Sequence, residues 1–150
     1  MSSSDPLSLE RQVCFALTVA SRSIVAAYKP VLEPLGITHP QYLVLLALWE
    51  ERPLTLSELA RRLRQEAPTL SPLLKRLESR GLLVRHRSDA DERRLEISLT
   101  PAGIALRSEA ERVPLEMARR LGMSPERLVE LHEAMIELIE ASRLSLGNQG

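Results

Sequence analysis

Apolar residues recur at helical spacing along most of the chain, and the breaks in that spacing mark its turns. Leu9, Val13, Ala16, Leu17, Ala20, Ile24 and Ala27 predict a helix from about Ser8 to Tyr28, capped by Ser8 and stopped before Pro30. A short helical stretch follows Pro30 and breaks at Gly36. The next helix starts at about Pro40 with Thr38 as its cap, and carries Tyr42, Leu43, Leu45, Leu46, Leu48 and Trp49. It is apolar nearly all round, so it belongs at the centre of the core, with Trp49 as packing.

From Leu54 to Thr100 the pattern is helix, turn, helix, strand, charged turn, strand. Ser57 stands where an N-cap or early helical residue belongs, ahead of Leu59, Ala60 and Leu63. A second helix starts around Pro68 or Thr69, with Leu70, Leu73, Leu74 and Leu77 on one side. Pro68 and Pro72 lie near its start, where a missing amide donor does least harm. Gly81 ends it, and alternation in Leu83–Arg87 and Leu95–Leu99 predicts a hairpin. Beyond it, Thr100 caps a helix opened by Pro101 and running to about Leu121. Gly122 breaks this helix, and Ser124 and Pro125 start another that reaches about Leu146, with Val129, Met135, Ile136, Leu138 and Ile139 on its apolar side. The fold class is therefore mainly α with a small β wing, a winged helix-turn-helix. Residues 1–150 read as one domain, with a DNA-binding module over about 38–100. The helices over 8–36 and 101–146 exceed what a winged helix needs, so they read as dimerisation helices interleaved around a two-fold axis. Met1–Pro6 and Gly147–Gly150 read as loose ends.

Charge sharpens the picture locally. The whole chain has 20 basic and 20 acidic side chains, but between Arg61 and Arg94 ten basic residues face five acidic ones, a local net charge of +5. A basic module on a helix-turn-helix outline is the footprint of a polyanion, here double-stranded DNA with a palindromic operator that a homodimer would read in successive major grooves. On the second helix of the motif, Thr69 and Ser71 are placed for base-edge or phosphate hydrogen bonds, with Lys75 and Arg76 next, while Leu70, Leu73, Leu74 and Leu77 are core. Abundant Leu and few aromatics favour helices. No apolar run approaches a membrane span, no signal pattern is evident, and one cysteine allows no internal disulfide, which points to the cytoplasm. His39, His86 and His132 share no metal-ligand spacing with Cys14, and neither a phosphate loop nor a triad motif is present, so neither metal nor cofactor is expected. From spacing alone, Cys14 is a small core hydrophobe more readily than a reactive group.

Several segments together resemble the MarR family of bacterial regulators, and within it the OhrR-type branch that senses organic hydroperoxides. They are Gln12 to Leu17, Ala20 to Arg22, Tyr28-Lys29-Pro30, Ile37 to Leu43, Leu48-Trp49-Glu50, Thr69 to Leu74, Arg87-Ser88, Asp91-Glu92-Arg93 and Ile97 to Thr100. The wing alone would indicate the wider family; the surroundings of Cys14 narrow it. The resemblance spans about residues 9–105 and implies a dimeric repressor whose single thiol is oxidised by an organic hydroperoxide, releasing DNA. It implies that Arg93 reaches the minor groove, oriented by Asp91, and that two tyrosine hydroxyls favour the reactive thiolate. The matching positions are Tyr28 and His39, and His39 departs from the usual tyrosine. An imidazole can still donate a hydrogen bond, and if protonated it would favour thiolate more strongly.

Helix geometry adds a constraint. Fourteen residues along one helix put Cys14 roughly 21 Å from Tyr28, so the two cannot meet within a subunit. A shared site requires the first helix to cross its partner antiparallel near Ser21. Without a second cysteine, a sulfenic acid must be resolved by a low-molecular-weight thiol, by a backbone nitrogen, or by over-oxidation. Two other readings remain open: a repressor released by a small aromatic or phenolic ligand at the dimer interface, with Cys14 inert, and a thiol-dependent redox enzyme.

Overall fold

The computed structural model describes residues 5–147. Of the loose ends expected at Met1–Pro6 and Gly147–Gly150, residues 1–4 and 148–150 lie outside them, while Gly147 is the last residue of a helix. The chain divides into two compact units, one up to Val113 and one from Pro114 onward.

In the first unit a 3-10 turn at Leu9–Arg11 precedes α1 (Val13–Leu32), and a second turn at Glu33–Leu35 leads through Gly36, in the left-handed region, to α2 (His39–Glu50). Then come β1 (Leu54–Thr55), α3 (Leu56–Leu63), α4 (Ala67–Ser79), β2 (Leu83–Arg87), β3 (Leu95–Leu99) and α5 (Pro101–Ala110). The winged helix-turn-helix is present as expected, with an antiparallel sheet ordered β1-β3-β2. The hairpin register pairs Leu83 with Leu99 and Arg87 with Leu95. Leu32, Val44, Leu45, Leu48, Leu59, Leu70, Leu74, Leu77, Leu83 and Ile97 are fully buried and form the core, with α2 contributing most of one wall.

Four boundaries differ from the sequence pattern, each for a local reason. Ser8 makes no cap; α1 starts at Val13 behind Gln12, whose side-chain amide donates to the Pro6 and Ser8 carbonyls. Pro30 does not stop α1. An interior proline costs about 3 kcal/mol, but the next two residues, Val31 and Leu32, are buried at 4% and 0% exposure, and their burial offsets it. The cap of α3 is Thr55, not Ser57: its hydroxyl accepts from the Glu58 amide while the Glu58 carboxylate accepts from the Thr55 amide. Thr55 also pairs with Glu96 in β1, a strand too short to leave a periodic signal. Lastly, the helix expected over 101–121 is two helices, α5 and α6 (Val113–Leu121). In a continuous helix the Pro114 ring would collide with the Ala110 carbonyl.

Thr38 caps α2 reciprocally with Gln41, and Thr100 caps α5 by accepting from the Gly103 amide. Trp49 is packing, as expected, and its indole N–H donates to the Gly103 carbonyl at 2.8 Å.

The second unit holds the rest of α6 and α7 (Pro125–Gly147), which has no buried residue. Val129, Met135, Ile136, Leu138 and Ile139 stand exposed along α7. Among the described residues no single helix is long and apolar enough to cross a membrane.

Candidate nucleic-acid interface and thiol site

The second helix of the motif, α4, turns Leu70, Leu74 and Leu77 into the core, which leaves Thr69, Lys75 and Arg76 on its outer side. Thr69 is exposed. Ser71 is half-buried and its hydroxyl donates to the Ala67 carbonyl at 3.2 Å, so only its lone pairs are free for a ligand. Lys75 and Arg76 line a cleft of about 510 Å³ between α4 and the start of α2, together with Gln41, Pro72, Ser79 and Arg80. Glu78, near the end of α4, anchors the wing: its carboxylate accepts from the Arg85 amide, Nε and Nη2 on β2. These bonds from Arg85 hold the Glu78 carboxyl below the usual carboxylate range.

A second cleft, of about 440 Å³, separates α3 from the wing, and Ser57, Arg61, Arg93 and Arg94 line it. Arg94 is structural: its guanidinium donates to Glu58 at 2.9 Å. Chiefly the Thr55 amide, and then Arg94, hold Glu58 below its ordinary range. The Asp91 carboxylate accepts from the Arg93 backbone amide at 3.0 Å, and no bond joins it to the Arg93 guanidinium among the described residues. The Arg93 side chain is left exposed at the wing tip.

Ion pairing separates structural cations from available ones. Arg62 pairs with Glu50 and Glu51, Arg85 with Glu78 and Arg94 with Glu58. Among the described residues Arg61, Arg64, Lys75, Arg76, Arg80 and Arg93 have no acidic partner within ion-pair distance. Sequence reasoning picked Lys75, Arg76 and Arg93 from this set and passed over Arg61, Arg64 and Arg80. They stood in the same basic run, but nothing along the chain told paired from unpaired.

The expected thiol-site residues are half assembled. Tyr28 and His39 come together, ring centroids 4.8 Å apart and planes at 51°, with Tyr42 behind Tyr28 at 5.9 Å. Along the sequence Tyr42 is simply an apolar helix position. Burial raises the phenols of Tyr28 and Tyr42, and it lowers His39 below its ordinary 6.5. Burial thus favours the neutral imidazole of His39, which can still donate a hydrogen bond. Its ring borders an apolar cavity of about 440 Å³ formed with Val25, Ala26, Lys29, Ile37 and Pro40. Cys14 is elsewhere, exposed in the first turn of α1. Because α1 runs unbroken from Val13 to Leu32, the helical rise still separates it from Tyr28 by roughly 21 Å. Phe15, Val19, Ile24 and Val25 stand exposed on the same helix.

The depressed His39 value makes a test. The unfolded chain takes up a proton near pH 6.5 before the folded one does, so this contribution is intact above that pH and lost as pH falls through the folded value. His39→Phe should flatten the dependence of Tm on pH between about 5 and 7. Parallel Tm profiles for the two proteins would refute the burial of that imidazole.

Residues 37–95 match the MarR family model. The organic hydroperoxide resistance transcriptional regulator of Bacillus subtilis (strain 168) is 43% identical over 136 residues, covering 91% of this chain and 92% of that protein. The chain belongs to the MarR family. Among solved structures, a probable transcriptional regulator from Pseudomonas aeruginosa superposes with a TM-score of 0.79 at 29% identity, covering 87% of this chain and 99% of the other. The structure of reduced AbfR bound to DNA superposes at 0.73 with 34% identity, covering 89% and 93%. As a MarR protein the chain is a transcriptional regulator, not an enzyme, and the redox-enzyme alternative is set aside.

Proposed function

We propose that this MarR protein is a homodimeric, DNA-binding repressor in the cytoplasm that senses organic hydroperoxides through Cys14 and then releases a palindromic operator. The observation that carries the reading is the placement of Cys14 and the Tyr28–His39 pair at opposite ends of one unbroken helix with exposed apolar residues. An antiparallel crossing of α1 with its copy near Ser21 would bring each Cys14 beside Tyr28 and His39 of the other subunit, giving two sites per dimer. The exposed apolar residues of α1 would be covered by the same crossing, and those of α7 suit the same role. The similarity to the hydroperoxide regulator of B. subtilis supports the choice of oxidant.

The chemistry follows from those groups. A free thiol has a pKa near ~8.5, so hydrogen bonds from a phenol and a neutral imidazole would favour the nucleophilic thiolate. Its sulfur attacks one peroxide oxygen, the O–O bond breaks, and the alkoxide leaves with a proton as the alcohol. The sulfur is oxidised by two electrons to a sulfenic acid. A low-molecular-weight thiol would then displace water, forming a mixed disulfide. Either product adds bulk and polarity to an apolar seam.

On the DNA side, Thr69 and Ser71 would meet base edges or phosphates, Lys75 and Arg76 phosphates, and Arg93 the minor groove, with Asp91 holding the wing tip. Binding should therefore weaken steeply with salt. Lys75→Ala or Arg76→Ala should flatten the slope of log K against log salt by about 0.9 for each phosphate contact removed, doubled in a symmetric dimer. A slope unchanged in both variants would remove them from the interface. The apolar cavity beside His39 favours a second reading, release by a small aromatic or phenolic ligand. Treating the protein–operator complex with cumene hydroperoxide, then with a small thiol, separates the two. Release by peroxide and restoration by thiol support the first; a complex untouched by peroxide but released by a phenol supports the second.

A further inference from the structure

Gly36 and Arg80 meet where the start of α2 faces the end of α4. A Cβ placed on Gly36 would lie 2.5 Å from Arg80 Nη2, 3.4 Å from Cζ and 3.6 Å from Nη1, so the guanidinium covers the bare side of the glycine. Each residue is held from its own side. Gly36 has φ +71, and its amide donates to the Glu33 carbonyl at 2.9 Å. It stands two residues before the cap of α2 and three before His39, and it borders the same cavity as the His39 ring. Arg80 is the C-cap residue of α4, its amide donating to the Arg76 carbonyl at 3.1 Å, and its side chain shares the cleft with Lys75 and Arg76.

One guanidinium thus touches the thiol-site end of the subunit and the end of its DNA-reading helix. No hydrogen bond or ion pair among the described residues fixes the Arg80 side chain, so the contact is steric, and a Cβ at Gly36 would push the free end of the guanidinium off the turn.

We propose that Arg80, seated on Gly36, is the positioning residue that couples the thiol site to α4. This rests on the reading of Cys14 as the sensor. A shift at the His39 end on oxidation would displace the Gly36 turn, and Arg80 would carry that displacement to the end of α4 that holds Lys75 and Arg76. If Arg80 were instead a simple phosphate contact, its loss would weaken reduced and oxidised protein alike.

The test measures operator Kd before and after oxidation by cumene hydroperoxide for wild type, Arg80→Gln and Gly36→Ala. Wild type should show an oxidised-to-reduced Kd ratio in the roughly 5–150-fold range of allosteric coupling, and each variant should cut that ratio by about threefold or more. Gly36→Ala acts with Arg80 still present, so agreement between the two identifies the contact rather than the charge. Variants that keep the wild-type ratio overturn the proposal, whether both Kd values weaken together or just the Tm falls. Should wild type itself show no release, the hydroperoxide reading fails and the coupling with it. Release in wild type with unaltered ratios in the variants overturns the coupling alone. If Gly36→Ala does not fold, the exposed Arg80→Gln decides the question.

Discussion

Operator bound by the Cys14→Ser variant should survive organic hydroperoxide that strips the wild-type protein from its site. The sulfur is the one atom in the proposed site that a peroxide can oxidise reversibly under mild conditions, and a hydroxyl in its place is not a comparable nucleophile. The substitution should be silent otherwise. Cys14 is exposed in the first turn of α1, and the Thr18 hydroxyl donates at 2.9 Å to its backbone carbonyl, which serine keeps. The reduced-state Kd should match that of wild type, because serine keeps the backbone and nearly the shape of cysteine. The peroxide-induced change in Kd should therefore collapse to about one, a loss of the whole coupling range of roughly 5–150-fold. A Cys14→Ser protein that still releases its duplex under peroxide, in a gel-shift or anisotropy titration, would leave Cys14 inert and turn attention to the cavity beside His39.

The largest effect on stability should come from Gly103→Ala, a single added methyl group. Gly103 is buried early in α5, and a Cβ there would lie 2.0 Å from the Leu82 carbonyl oxygen, 3.1 Å from its carbon and 3.3 Å from Leu99 Cδ2. That oxygen cannot swing aside without loss, because it accepts from the Thr100 amide at 3.2 Å. Moving α5 outward instead would pull the Gly103 carbonyl from the Trp49 indole. Overpacking typically costs about 1–3 kcal/mol, and an orphaned buried donor about 1–3 more. We expect about 4 kcal/mol in all, a fall in Tm of about 8–16 °C for a chain of this size. Gly122→Ala is the control. Its φ is +62 but nothing lies within 4 Å of the added Cβ, so left-handed strain alone should cost about 1–2 kcal/mol. Equal shifts in Tm for the two variants would show that the approach of α5 to Leu82 is not tight.

Much of this was legible along the chain, because helices and hairpins announce themselves by local spacing. Leu83–Arg87 and Leu95–Leu99 were read to the residue, since alternation has period two and a slip of one would turn Ile97 out of the core. Pro30 misled because the burial of Val31 and Leu32 outweighs a lost hydrogen bond, and burial is a tertiary quantity. Pro114 divided a helix that periodicity alone made continuous. The cap at Thr55 was displaced by two residues because Ser57 offered an equally good hydroxyl; the Glu58 carboxylate three residues after Thr55 was the signal that distinguished them.

Sequence alone determined the family, the order of helices and wing, the basic module, and the identity of the thiol, because each is carried by residue type and spacing. Tertiary structure alone decided which arginines pair with Glu50, Glu58 and Glu78 and which have no acidic partner, that the His39 ring meets the Tyr28 ring and is held below its ordinary pKa by burial, and that Gly36 carries Arg80. The reason is common to all three. Ion pairing, desolvation and steric fit depend on distances between groups far apart in the chain, and those distances exist once the core has closed.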